Sequence, residues 1–172
     1  MTDLALLMLR VVTGGLLLGH GAQKLFGSFG GRGLDGTAAR LETMGLRPGM
    51  LWATGAGLAE FVGGLLTLLG LGGPIGSILT STSMKMSTFK EHSGKPIWAS
   101  AGGAELPVTN ATIGSALIMT GPGRYSLDRL FGIKVPWWLT ALLSLGAGIA
   151  LVVGLLMEPE DAEVPGAATE AA

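Results

Sequence analysis

Residues 51 to 71 read LWATGAGLAEFVGGLLTLLGL, an apolar run with one ionisable group, Glu60, at its centre. As a helix rising ~1.5 Å per residue, a run of this length reaches across a hydrocarbon core ~30 Å thick. Its nine Leu, Val and Phe residues favour insertion by ~3 to 5 kcal/mol in all, against a cost of ~3 kcal/mol for a central acid. The segment can cross a bilayer only narrowly, and with Glu60 turned away from lipid. On a helical wheel Ala56, Gly57, Gly63 and Gly64 fall within about 60° of Glu60. The carboxylate therefore emerges from a smooth face that a neighbouring backbone can approach closely, and it is expected to point into a bundle.

Outward from this segment the chain repeats the pattern. Of 172 residues 48% are hydrophobic, 13% are charged and 30 are glycine, with a mean hydropathy of +0.55. That is the composition of a membrane protein. A net charge of -1 with no basic tract excludes nucleic acid as an expected partner. No cysteine is present, so the chain has no disulfide, thiolate nucleophile or thiolate-held cluster of its own. Four further spans are expected: about 4–26, 75–92, a short one centred on NATIGSALIMT (110–120), and 135–157, which begins with Trp137 and Trp138 as interface anchors. The first has no basic n-region and no small-residue cleavage site, so it is expected to remain as an anchor. Gly72-Gly73-Pro74 joins the second and third spans in a tight hairpin. The expectation is one all-α membrane domain, 1–157, of four core helices plus a fifth near 135–157, followed by a disordered acidic tail at 158–172.

The first span carries Arg10, His20 and Lys24. At ~100° per residue, with Arg10 as zero, His20 falls near −80° and Lys24 near −40°, so these polar groups share one side of the helix. Facing lipid they would be costly, which turns that side toward other helices or a wet cavity. For Arg10 and Lys24 the plainer reading is snorkelling to the two interfaces, and for His20 it is a satisfied buried imidazole. For Glu60 a structural salt bridge to Lys24 or Arg10 competes evenly with a functional carboxylate. In the third span Ser77, Ser81, Lys85, Thr88 and His92 form a narrow stripe, either a polar lining or interhelical hydrogen bonding, the latter favoured for the hydroxyls. In the fifth, Gly146, Ala150 and Gly154 make a groove where another helix is expected to pack.

GRGLDG, residues 31 to 36, matches the dinucleotide fingerprint in letters only. A spanning helix precedes it and no βαβ unit has room to follow, so the glycines are expected to make a compact turn. A short amphipathic helix, TAARLETMG, should then lie at the membrane surface, stopped by Gly45. Met84 and Met86 without histidine or cysteine at ligand spacing do not make a copper site, and no metal site is expected.

The order of these motifs, Arg10, HGAQKLFGSFGGRG, Glu60 with Gly63-Gly64, His92, GGAELP and GPGRYSLD, resembles the DoxX family of small bacterial membrane proteins over about residues 4 to 132. The resemblance implies a four-helix membrane core, with the segment after 135 as an addition, and a multi-pass location in the bacterial plasma (inner) membrane. It aligns Arg10, His20, Lys24, Glu60, His92, Glu105 and Asp128 with family motifs and brings no catalytic assignment for them. Glu105 and Asp128 are taken as structural members of those motifs. It also implies membership of a quinone-linked or thiol and oxidative-stress redox complex.

The expected function is the membrane subunit of such an oxidoreductase complex. His20 or Lys24 would donate a hydrogen bond to a quinone-like group and Glu60 would exchange the proton, with Arg10, Lys85 and His92 as further binding candidates. No cofactor motif is evident, and a quinone is the group the cluster would suit. The lipid bilayer and either a partner redox protein or a second copy are the expected partners. Whether the chain itself catalyses stays open. The alternatives are a small-molecule or ion transporter and a scaffold without catalysis.

Overall fold

The computed structural model describes residues 1–159 and contains helices without strands among them. The acidic tail expected from residue 158 lies, apart from its first two residues, outside the described residues. Seven α-helices follow in chain order: α1 (Thr2–Phe26), α2 (Gly33–Glu42), α3 (Gly49–Leu69), α4 (Ile75–Glu91), α5 (Glu105–Thr120), α6 (Leu127–Phe131) and α7 (Trp137–Leu156). Three of them, α1, α3 and α7, are long and apolar enough to cross a membrane. With 17 and 16 residues, α4 and α5 are shorter, and α4 is the least apolar of the long elements. It sits beside α3, α5 and α7, so its hydroxyls meet protein on several sides.

α1 and α3 run antiparallel and pack most extensively. Their glycines explain the closeness. A Cβ on Gly14 would stand 2.5 Å from the Leu68 amide nitrogen and 2.8 Å from the Gly64 carbonyl oxygen, and one on Gly21 would run into the Phe61 backbone. The smooth face predicted around Glu60 is thus the seam between these helices and, at Gly63, the contact with Gly76 of α4. Without side chains in the way, dispersion contacts run along both backbones, the main source of attraction between helices in lipid.

Three expectations change in detail. The surface helix α2 starts at Gly33 rather than Thr37, so four of the six residues of GRGLDG are helical; within it Thr37 Oγ1 donates back to the Gly33 carbonyl at 2.7 Å. The stripe on α4 divides. Ser77 and Ser81 are buried, with Ser81 Oγ donating to the Ala111 carbonyl of α5 at 3.4 Å, whereas Lys85 is exposed. An ideal wheel groups residues over about four turns, but the neighbours of α4 change along its length.

The small residues of α7, third, do not bring another helix close along their whole row. Only Gly154 is approached, by Met86 and Trp52, while a Cβ on Gly146 would meet nothing within 4 Å. Near the start of α7, Val135 touches Gly73 in the α3–α4 turn. The helix is held near both ends and stands away in the middle.

Candidate functional site

Lys24 lies in the last turn of α1 and Glu60 in the middle of α3, and the antiparallel seam brings them level. Lys24 Nζ stands 2.5 Å from Glu60 Oε2. Glu60 is 1% exposed and the lysine side chain 28%. Ser83 of α4 donates its hydroxyl to the other carboxylate oxygen, Oε1, at 2.7 Å. Both oxygens are therefore engaged, as burial of a carboxylate requires.

Ser83 was not among the sequence candidates, because it lies off the Ser77 stripe. A signal for it existed in the hairpin. Glu60 is nine residues before the end of α3 and Ser83 eight after the start of α4, so an antiparallel pair joined by a tight turn places them at one level.

The pair forms part of the wall of a partly open cavity of about 510 Å3 lying between α3, α4 and α7. Trp52, Leu79, Met86, Leu142 and Ala150 give it a mainly apolar surface. This volume is within the range of small-molecule sites, which combine apolar walls with a few placed polar groups. Toward the C-terminal end of α4 the lining becomes polar with Ser87, Lys90 and Glu91. There Arg40 of α2 pairs with Glu91 at 2.9 Å, Ser87 donates to the same carboxylate at 2.9 Å, and Lys90 donates to the Met157 carbonyl at the end of α7. Arg40 and Lys90 thus tie α2 and α7 to the same turn of α4.

The other sequence candidates lie elsewhere. His20 is exposed, and its Nδ1 shares a hydrogen bond with Gln23 Oε1 at 3.0 Å on the same helix. Lys85 points out of the bundle. His92 ends α4 and bonds the Gly102 carbonyl at 2.7 Å, and Glu105 accepts from the Ala99 amide at 2.8 Å, so both organise the loop before α5.

Arg10 is 2% exposed but belongs to the opposite end of the bundle. Its guanidinium donates to the Tyr125 carbonyl, while Nε and Nη1 have no partner among the described residues. Asp128, 7% exposed, accepts from the amides of Gly72 at 2.9 Å and Gly73 at 2.5 Å. Arg10 and Asp128 thereby hold the α3–α4 turn against the segment preceding α7. Among the described residues no group of three or more His, Asp or Glu side chains could hold a metal ion.

The sequence model of the DoxX family matches residues 5–93. The chain belongs to the DoxX family. No curated protein and no solved structure matches it. The matched DoxX stretch contains all but the first three residues of α1 and the whole of α2 to α4, and so Lys24, Glu60 and Ser83 together. It is shorter than the span expected from the motifs, leaving Glu105 and Asp128 beyond its end. The α7 wall of the cavity is also outside it.

Proposed function

We propose that this DoxX protein is the membrane subunit of a quinone-linked or thiol and oxidative-stress oxidoreductase complex, and that the cavity beside Lys24 and Glu60 takes a quinone-like group. The observation that carries the reading is a mainly apolar cavity of about 510 Å3 with a buried carboxylate and an ammonium in one wall. The Lys24 ammonium can donate a hydrogen bond to a carbonyl oxygen, and Glu60 can accept or return the proton that accompanies a change in redox state. Electrons would come from a partner redox protein or a bound cofactor, since the chain carries no cysteine to supply them itself. His20, on the outside of α1, has no part in this arrangement.

Decylubiquinone titrated against a W98F/W137F/W138F background, in which Trp52 reports from the cavity wall, tests the reading. Saturable quenching is expected, weakened at least ~10-fold in a folded K24M/E60L protein, a loss of ~1.4 kcal/mol. No saturable quenching and no quinone extracted from protein purified in mild detergent would refute it.

A second reading has its own support. Both Glu60 oxygens are already occupied, by Lys24 and Ser83, as a purely structural pair requires; K24M/E60L would then retain any redox phenotype. For orientation, five crossings place seven basic residues, Lys24, Arg32, Arg40, Arg47, Lys85, Lys90 and Lys95, in or near the first and third loops. The positive-inside rule then puts the N-terminus outside and the tail in the cytoplasm of a bacterial cell. A reporter fused after residue 160 that works only outside the cytoplasm would refute that orientation.

A further inference from the structure

The end of the bundle opposite the ion pair has a second concavity, independent of the redox reading. It has a volume of about 710 Å3 and lies between α1, the end of α3 and the segment around α6. Leu7, Leu68 and Leu69 supply apolar wall, and Arg124, Tyr125 and Arg129 line it from the other side. Both arginines are exposed. Neither guanidinium has a hydrogen bond or ion pair among the described residues.

The backbone that carries them is nevertheless held firmly. Asp3 Oδ1 accepts from the Arg124 amide at 2.9 Å, and Ser126 Oγ accepts from the Arg129 amide at 3.3 Å. Between them, buried Arg10 donates to the Tyr125 carbonyl, and Asp128 binds the amides of Gly72 and Gly73. A fixed frame therefore presents two cations that are free among the described residues.

Its level in the membrane is also marked. Leu68 and Leu69 end the apolar helix α3, and Trp137 and Trp138, 81% and 55% exposed, begin α7 at the same end of the bundle. Aromatic residues of this kind sit where hydrocarbon gives way to head groups. The concavity thus offers cations and apolar wall at the depth where a phospholipid has its phosphate and the start of its chains.

The geometry points to this concavity as a binding site for an anionic phospholipid, with its phosphate on Arg124 and Arg129 and an acyl chain along Leu7, Leu68 and Leu69. The guanidinium forks suit phosphate oxygens, and basic pockets at helix ends select anionic head groups. A free phosphate would use the cations but leave the leucine wall uncovered. Two cations near the surface, each giving about a five-fold preference, together give ~30-fold for an anionic over a zwitterionic lipid.

The test uses the full chain in phosphatidylcholine nanodiscs with and without phosphatidylglycerol. Lipid adducts are read by native mass spectrometry and stability by thermal unfolding. The wild type should retain phosphatidylglycerol and unfold several degrees higher in its presence. R124Q/R129Q should lose the adduct and the shift, with affinity down ~30-fold, while R124K/R129K keeps most of both. R32Q/K95Q, which removes two charges at the other end of the bundle, should behave as wild type. An undiminished lipid effect in R124Q/R129Q, its loss in R32Q/K95Q, or no effect in the wild type would overturn the assignment. So would equal stabilisation of the wild type by soluble glycerol 3-phosphate, which would make the ligand a free phosphate ester.

Discussion

Two faces of α3 meet their neighbours in opposite ways, although both are built from small residues. Toward α1, Gly64 faces Gly14, and the backbones come so close that any side chain at either position would strike the other helix. On the cavity side Gly55 has nothing within 4 Å of a Cβ position, and neither has Gly146 across the space on α7. A small residue permits close approach but does not create it. The seam closes because glycine meets glycine and no bulky side chain stands between. The cavity stays open because Trp52 and Met86 seat α7 at Gly154 and Val135 rests on Gly73, while the stretch between has no matching contact. One face of α3 thus holds the bundle together, and another leaves space beside Glu60.

The largest effect should come from closing the wrong face. Gly64→Leu forces a side chain into the Leu18 and Gly14 backbones, where no rotamer offers relief, and is expected to cost ~3 kcal/mol or more. Little folded protein should elute in size-exclusion chromatography. By contrast Gly55→Leu should fold, since its side chain enters open space. Equal loss for both would break the comparison.

Next is the pair at the cavity wall. Lys24→Met leaves a nearly inaccessible carboxylate without its cation, and removing one partner of a buried pair costs about 3 to 5 kcal/mol. The partial exposure of Lys24 puts the expected loss at the lower end of that range. K24M/E60L should recover most of the stability, because two apolar groups of similar size need no compensation. Additive losses in the double-mutant cycle would show that the two residues do not interact.

The third contrast lies within α7. Gly154→Leu should cost ~1 to 3 kcal/mol by displacing Met86 and Trp52. Ala150→Leu should leave the melting temperature nearly unchanged while filling part of the cavity, so quinone binding should fall with stability intact. Bulk at Ala150 would have been expected to disturb packing had the whole Gly146–Gly154 row met a helix. The smallest effect is His20→Phe, which removes one hydrogen bond to Gln23 on an exposed face and should change stability by less than ~0.5 kcal/mol. A large loss there would place His20 in a contact that the fold does not show.

The DoxX motifs, the apolar segments and the inward direction of Glu60 were legible in the sequence, because each follows from local chemistry. An acid in the middle of an apolar helix has few places to go, and glycines beside it say which face is smooth. Lys24 was legible as one of two cations able to reach that acid. The choice between Lys24 and Arg10 was not, since it depends on which end of α1 lies level with Glu60. Likewise a wheel drawn on α4 gathered Ser77, Ser81 and Lys85, although the first two meet α5 and the lysine leaves the bundle.

What the sequence determined by itself is therefore the class of the protein: a helical membrane chain, its principal helices to within a few residues, and a buried carboxylate that requires partners. These follow from the transfer energy of side chains and the period of the helix, which need no knowledge of neighbours. Only the tertiary structure decided that Lys24 and Ser83 are those partners, that Arg10 instead braces the far end with Asp128, and that α7 stands off to leave a cavity. Each of these depends on the axial register and spacing of helices far apart in the chain, set by the sum of many glycine, leucine and loop contacts rather than by any one stretch of residues.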